Sequence, residues 1–536
     1  MTTNGATSQS FSAGSEEKAA TRAAGVVGFW TSLSRIFGFI RDMVIANFLG
    51  AGPWADAFFV AFRIPNLLRR LFGEGALSAA FVPTFVETLH HNGRRDAEQL
   101  ARVTLTFAAM VLAVVTLLGI LFSPWIVRII APGFLDEPAK FSLTVSLNRI
   151  MFPYIFFISL VALASGVLNS MGHFAAPAAA PIVLNLCMIG SVALFTSFFG
   201  VSPQYALAWG VVVAGILQLA LQLPFMERYR IRWRPDFRFN NPALRQIGRL
   251  FGPAALAGAV YQVNVMIGTI LASLLPTGSV SWLYYADRLV ELPLGVFAIA
   301  LGTAVLPSMS RLESVRDLPG LRQSLSYALR LIAFFMIPAS VGLILLREPI
   351  IGCLFQRGLF THTDTMRTAY ALLWYTTGLW AFSGLKVVNQ GFFSLKDTLT
   401  PLMVAAAAVI VNLVGGLLLM RSMAHGGLAL ATSIAAAFNV VILFVILVRR
   451  LGGFPFRQFL DSMVRIGAAS VIMGPVVAYL EGLGDWGAGL TLHNAAMLTV
   501  SLAGGVAVFV ASAYLLRCTE LRSILEIAWG RTGGGS

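Results

Sequence analysis

Long apolar runs separated by short polar ones set the rhythm of this chain. A helix needs roughly 20 residues to cross a bilayer. On that measure the pattern predicts about fourteen spans, near 25–49, 54–88, 101–123, 143–171, 178–199, 205–226, 246–273, 279–309, 323–346, 366–394, 400–421, 427–449, 460–480 and 493–516. The second, fourth, eighth and tenth carry enough polar residues to escape a strict hydropathy window. In the first two, the polar positions keep helical phase. Arg35 and Asp42 are seven apart and share a face, as do Ser34 and Arg41, and all four fall within a sector of roughly 120°. In the second, Asp56, Arg63, Arg70 and Glu74 line one stripe, with Asn66 and Arg69 to one side, and Pro65 predicts a kink.

Composition narrows the class. The chain has 536 residues, 57% hydrophobic and 12% charged, with mean hydropathy +0.79. That is an all-α polytopic membrane protein, and a soluble globular fold is excluded. The net charge of +14 would suggest nucleic acid in a soluble protein. Here loop asymmetry accounts for most of it, and no nucleic-acid-binding motif accompanies the charge. The loop after span six carries Arg228, Arg230, Arg232, Arg234, Arg238, Arg245 and Arg249, whereas FFGVSPQ and LLPTGSV after spans five and seven carry no charge. Positive loops stay inside, so both termini are expected in the cytoplasm. The loop after span nine, with Arg347, Arg357 and Arg367, runs against this pattern without reversing it.

Residues 1–24 read as a disordered cytoplasmic tail, no cleavable signal peptide is expected, and the terminal GGGS reads as an appended linker. Cys187, Cys353 and Cys518 are too dispersed, and odd in number, for a disulfide framework. No HExxH motif or Cys/His cluster occurs, so no metal site of that kind is expected.

The chain also repeats itself. Ala55-Asp56, Pro65 and Val82-Pro83 are echoed by Ala286-Asp287, Pro293 and Leu306-Pro307, with Asp287 lying 231 residues after Asp56. Leu207-Ala208 opens span six as Leu428-Ala429 opens span twelve. Two parallel six-helix lobes around a central site follow, the layout of a two-lobed transporter. The expected organisation is an N-lobe at 25–227, a basic loop at 228–245, a C-lobe at 246–449, an appended helix pair at 460–516 and a tail at 517–536.

The chemistry lies in intramembrane charge. An ionisable group at the bilayer centre costs roughly 2.5–3.5 kcal/mol or more, so it faces a bundle interior or a hydrated cavity. The first two spans supply Arg35, Arg41, Arg63, Arg69 and Arg70 against Asp42, Asp56 and Glu74; the eighth adds Asp287, Arg288 and Glu291. Lysine is almost absent, and guanidinium binds phosphate bidentately while keeping its charge when desolvated. A cationic chamber for a phosphate or pyrophosphate group is the reading this favours. The plainer one is that the arginines pair with Asp42, Asp56, Asp287 and Glu74 to hold the lobes, but the cations outnumber those carboxylates. Asn264, Asn389, Gln390, Asp397 and Asn412 are candidates for a coupling-cation site, or for hydrogen bonds between helices.

The stretches SRIFGFIRD, ADAFFVAFRIPNLLRRLFGEGALSAAFVP and SWLYYADRLVELPLGVFAIALGTAVLPSMS closely resemble the MurJ (MviN) lipid II flippases, within the multidrug/oligosaccharidyl-lipid/polysaccharide exporter superfamily. The resemblance spans roughly residues 22–520. It implies fourteen helices, an inward-facing cavity, and transport of undecaprenyl-pyrophosphoryl-MurNAc-pentapeptide-GlcNAc (lipid II) across the bacterial cytoplasmic membrane for peptidoglycan synthesis. By position, the family's cavity arginines fall on Arg35, Arg41, Arg69 and Arg288, its acidic positions on Asp42 and Asp56, and a cavity serine on Ser34; position 63 stays basic. The last two helices would form a groove for the lipid tail. Asp397 matches a cation position of some members and the other ligand positions do not, so the coupling is open among sodium, a proton and the membrane potential. Lipid II, bilayer phospholipid and other cell-wall synthesis proteins are the implied partners. The other readings are an exporter of a different polyprenyl-linked oligosaccharide, a drug/ion antiporter of the same superfamily, and a membrane enzyme acting on a polyprenyl pyrophosphate.

Overall fold

The computed structural model describes residues 6–69, 77–231 and 234–528. Among them all regular structure is helical, as hydrocarbon demands: backbone groups that find no water must bond within their own segment. The described residues cluster into two compact units, one comprising 1–45 and 57–262, the other 46–56 and 263–536.

The first unit holds most of α1 (Ala6–Leu49) and α2 (Pro53–Arg69), then α3 (Leu77–His91) and α4 (Arg94–Leu121). It continues through α5 (Ser123–Ile130), α6 (Pro138–Met151), α7 (Tyr154–Ser170), α8 (Ala175–Ser191), α9 (Ser197–Phe199) and α10 (Pro203–Arg228) into α11 (Pro242–Ser273). Proline opens α6 and α10, where its missing N–H costs nothing. Gly200, at φ +64°, closes the stretch formed by α8, a π turn and α9. The core forms where α10 packs on α7 and α8 and where α7 meets α3 and α4. α4 leaves Phe107, Met110, Val111, Val114, Leu117, Leu118 and Leu121 exposed, a stripe at three- and four-residue spacing suited to lipid.

The second unit continues from α11 into α12 (Ser279–Pro293), a π turn at Leu294–Ala298, α13 (Ile299–Ser314), α14 (Leu318–Leu345) and α15 (Arg347–Phe355). Then come α16 (His362–Thr376), α17 (Leu379–Ser394), α18 (Leu399–Leu451), α19 (Phe456–Glu481), α20 (Leu492–Leu515) and α21 (Thr519–Ala528). Asp317 caps α14 by accepting from the Gly320 N–H at 2.9 Å, and Thr361 with Asp364 forms a reciprocal capping box on α16. α18 breaks at Ala424, whose φ of 48° and ψ of −130° are non-helical, so its 53 residues are two helices end to end.

Among the described residues, eight helical stretches are long and apolar enough to cross a membrane. They include the fourth expected span, and one of them, Leu399–Leu451, covers the eleventh and twelfth together. The first, second, eighth and tenth fall outside the criterion. Arg35, Arg41 and Asp42 interrupt the first; the second includes residues 70–76, outside the described residues; the eighth is broken at the π turn after Pro293 and the tenth at Thr377-Gly378. In the seventh, Gln262–Ser273 is an apolar helix of shorter length.

Two differences from the sequence reading stand out. α1 runs back to Ala6, within the stretch expected to be a disordered tail. The expected C-terminal tail contains α21, an amphipathic helix whose Leu521 and Ile524, three residues apart, pack on a core with Phe334, Ile466, Met473 and Phe509. Its first turn is tied down by charge. Glu520, 1% exposed, accepts from Arg330 Nη1 of α14 at 3.0 Å and from the Ser462 hydroxyl of α19 at 2.8 Å.

Removing one member of a buried ion pair strands the other, at about 3–5 kcal/mol, whereas replacing both with apolar groups is often neutral. Glu520→Ala or Arg330→Ala alone should therefore lower the thermal unfolding midpoint in detergent, read by intrinsic fluorescence. The pair Arg330→Met with Glu520→Leu should recover more than half of that loss.

Candidate functional site

The charged stripe of α1 folds around one pair. Arg41 and Asp42 are adjacent in sequence and both buried, at 7% and 2% exposure. Arg41 donates from Nε at 3.0 Å and Nη2 at 2.7 Å to Oδ1 of Asp42. Its Nη1 donates at 3.1 Å to Oδ1 of Asn185 on α8, and the Asn185 amide nitrogen donates at 3.0 Å to the backbone carbonyl of Ser34. One amide thus aims the guanidinium and ties two turns of α1 to α8. Sequence reasoning missed Asn185; the available signal was an amide in an otherwise apolar helix. Arg35, on the same stripe, is exposed, and Ser34 is half-buried. On α2, Arg63 and Arg69 are half-buried, and Arg69 Nε donates to Oδ1 of Asn66 at 2.9 Å. Arg70 and Glu74 lie outside the described residues.

Asp56, at 1% exposure, takes a different part. It belongs to the segment 46–56 that packs within the second unit. Its Oδ2 accepts the Gly278 N–H at 2.7 Å, and its Oδ1 accepts the Ser281 N–H at 2.9 Å and the Ser281 hydroxyl at 2.7 Å. These are orphan donors at the start of α12, whose capping residue Gly278 has no side chain to serve them. A carboxylate there also answers the positive end of the helix dipole. Gly278 sits at φ +98°, and a Cβ on it would come within 2.7 Å of the Ala51 carbonyl oxygen, so no other residue fits. The same segment is held by Tyr285, whose hydroxyl donates to the Gly50 carbonyl at 3.0 Å, and by the Leu359 N–H, which donates to the Asn47 carbonyl at 3.0 Å.

Two to three turns along α12, Arg288 donates to Glu291 Oε2 at 2.6 Å and to the Tyr284 hydroxyl at 3.2 Å, and stacks on the Tyr284 ring at 4.9 Å. Asp287 and Glu291 are exposed, and Arg288 is partly so. The guanidinium is held on one side by a carboxylate and on a flat face by an aromatic ring, a geometry that leaves an arginine aimed without burying it.

The candidate cation ligands have varied surroundings. Asn264 accepts from the Asn412 amide at 2.8 Å, a bond between α11 and α18, and Oδ1 of Asn389 is buried without a hydrogen-bond partner. Asp397 stands just before α18. Its Oδ1 accepts the N–H groups of Leu399 and Thr400, both at 3.0 Å, and its Oδ2 accepts the Thr400 hydroxyl at 2.6 Å and a contact from Arg450. Bonds from Thr400, reinforced by Arg450, hold its carboxyl down at about 2. Among the described residues no group of three or more His, Cys, Asp or Glu side chains is placed to hold a metal ion.

Both carboxylate caps can be tested. Asp56→Ala strands two buried N–H groups, at about 1–3 kcal/mol each, and should lower the thermal midpoint sharply; Asp56→Asn, which keeps an acceptor, should lower it less. Because the folded value for Asp397 is depressed, its stabilisation is fully present above its unfolded value and is lost as pH falls through the folded one. The melting difference between the wild type and Asp397→Asn should therefore be constant from pH 7 to about pH 5 and shrink towards pH 2.

The chain matches the family model described as "Lipid II flippase MurJ" over residues 45–497. It is 37% identical over 513 residues to a probable lipid II flippase MurJ of Vibrio cholerae serotype O1, covering 94% of this chain and 97% of that protein. It is likewise 37% identical over 470 residues to the lipid II flippase MurJ of Burkholderia cenocepacia, covering 87% and 91%. Among solved structures, it superposes on a lipid II flippase MurJ in an inward closed conformation with a TM-score of 0.76 at 27% identity, covering 92% of this chain and 98% of the other. A multidrug resistance MATE family transporter in an inward-facing conformation shares the fold, with a TM-score of 0.65 at 14% identity over 78% of this chain and 94% of that one. This multi-pass membrane protein belongs to the MurJ lipid II flippase family.

Proposed function

We propose that this chain carries lipid II, the undecaprenyl-pyrophosphate-linked disaccharide pentapeptide, from the inner to the outer leaflet of a bacterial cytoplasmic membrane. Near full-length identity of 37% to proteins named as lipid II flippases is the observation that carries this reading. The side chains support it. A pyrophosphate needs donors that stay charged in a poorly hydrated site, and Arg41 is such a group, buried and aimed by Asn185. In this reading Arg35, Arg41 and Arg288 hold the pyrophosphate, and Arg69 and Ser34 line its path. Asp42, Asp56, Arg63, Arg70, Glu74, Asp287 and Glu291 then shape the cavity and its gating. Carrying the headgroup through hydrated space avoids the cost of dragging charge and sugar through hydrocarbon. An enzyme acting on the same lipid would need a metal or a poised base; an antiporter for cationic drugs would need an acidic cavity.

The loop charges support a cytoplasmic position for both termini. For energy, we propose that the membrane potential, negative inside, favours outward movement of the anionic headgroup and helps return the empty, cationic site inward. A sodium or proton step through Asn264, Asn389 or Asp397 is the second route; a reset rate indifferent to collapse of the potential would favour it. Other cell-wall synthesis proteins would receive the product.

The decisive measurement is binding of lipid II to the purified chain, with undecaprenyl phosphate and a cationic drug as competitors. A charge-assisted hydrogen bond is worth about 1.5–3 kcal/mol. Arg35→Ala, Arg41→Ala and Arg288→Ala should each therefore weaken lipid II about tenfold to a hundredfold. Unchanged binding in all three would move the substrate off these arginines, and preference for the drug would remove the reading itself.

A further inference from the structure

The connection from α10 to α11 carries a feature that transport of lipid II does not use. Between positions 228 and 249 the sequence has a run of arginines and a single carboxylate, Asp236. Arg228, Arg230, Arg234, Arg238, Arg245 and Arg249 are all exposed. Asp236 does little to offset them. Its two oxygens accept from Arg238 Nε at 2.9 Å and Nη2 at 2.7 Å, and those bonds hold its carboxyl below the usual range and keep it ionised.

The depth of this connection relative to the bilayer can be read from its anchor. The Asp236 N–H donates at 3.0 Å to the hydroxyl of Thr106 on α4. The next residue of that helix, Phe107, begins the lipid-facing stripe and meets the ring of Phe239 edge to face at 5.6 Å. Phe239 in turn meets Phe237 at 6.1 Å, and Phe237 is 65% exposed, with its ring turned outward. An aromatic ladder thus leads from the lipid-facing helix into the arginine-rich segment, which places this segment at the boundary between hydrocarbon and headgroups. Phenylalanine there gains by entering the acyl region while arginine reaches the phosphates. Beside the ladder lies a cavity of about 490 Å³, lined by Gln99, Phe237, Arg238, Asn240 and Asn241 among others, with hydrogen-bond donors and no free carboxylate.

We propose that residues 234–241, together with the adjoining face of α4, form a binding site for the headgroup of an anionic glycerophospholipid of the surrounding bilayer. The phosphate lies against Arg234 and Arg238, the amides of Asn240 and Asn241 read the polar headgroup, and Phe237 enters among the acyl chains. Charge selects the occupant: a zwitterionic headgroup brings its own cation to a surface already rich in them. The site is separate from the lipid II arginines and does not depend on them.

The test uses the full chain in detergent, titrated with phosphatidylglycerol or phosphatidylcholine and read by native mass spectrometry. A basic residue near a membrane surface contributes a factor of about five. Arg234→Gln with Arg238→Gln should therefore weaken phosphatidylglycerol about twenty-five-fold and leave phosphatidylcholine unchanged. Asp236→Asn, which releases Arg238, should tighten phosphatidylglycerol about fivefold. Phe237→Ser should weaken the lipid but not inorganic phosphate. As a check independent of those folds, Phe237→Cys carrying an environment-sensitive fluorophore, with Cys187→Ser, should shift to the blue more in phosphatidylglycerol nanodiscs than in phosphatidylcholine ones. Equal retention of the two lipids by the wild type, no change in the double variant, or displacement by inorganic phosphate as effective as by lipid would each overturn the proposal.

Discussion

A bilayer core offers no water, so every polar group carried into it must find its partner within the protein. That constraint explains the uniform helicity of the described residues and the way their buried charges are arranged. Asp42 answers Arg41 from the next position on the same helix, and Asn185 completes the guanidinium from α8. Glu520 answers Arg330 across two helices, and Ser462 takes up the same carboxylate oxygen. In both places a charge that would be costly alone becomes the reason two helices keep a fixed relation. The polar residues that weaken the hydropathy of these helices are those that decide how they pack.

Asp56 shows the same constraint acting on backbone. α12 begins at a glycine that has to be a glycine, and so begins without a cap of its own. A carboxylate 222 positions earlier supplies three acceptor contacts instead. Because a helix transmits the orientation of its first turn along its length, the cap also sets where Tyr284 and Arg288 stand. The sequence pairs Asp56 with Asp287 as equivalent positions of a repeat. In the structure they differ in kind: one is buried as a backbone acceptor, the other is exposed on the helix that the first one starts.

What was legible in the sequence follows from range. Seven-residue spacing on α1 is a local property, so the shared face of Ser34, Arg35, Arg41 and Asp42 could be read directly. So could the hydrophobic lengths, although prolines and π turns cut several expected spans into shorter helices. The partners could not be read. Asn185 lies 144 positions from Arg41 and Asn412 lies 148 from Asn264; an amide in an apolar run announces a bond without saying to what. Asp397 illustrates the converse. Alone, an aspartate at a span boundary suits a cation as well as it suits a helix start, and its bonds to Leu399, Thr400 and Arg450 could not be read from it. α21 was legible in principle, from Leu521, Ile524 and Leu525, and was hidden by its place in a tail.

The carboxylates beside the arginines bear on transport as well as on stability. A carrier has to bind its cargo firmly enough to load it and weakly enough to release it. A bare cluster of desolvated guanidiniums would hold a pyrophosphate too well, since each bidentate contact is strong and nothing inside the protein competes for it. If these arginines hold the pyrophosphate as proposed, Asp42 on Arg41 and Glu291 on Arg288 are built-in competitors for it. On the proposed function, each would offer the guanidinium an alternative partner within reach, so that release of the phosphate re-forms an internal pair. Lysine could not serve in the same way, because its single ammonium lacks the planar fork that lets one guanidinium keep a protein partner while engaging a phosphate. On the proposed function, the preference for arginine over lysine in these helices and the presence of an acid next to the arginine are two parts of one requirement, reversible capture of an anion where water is scarce.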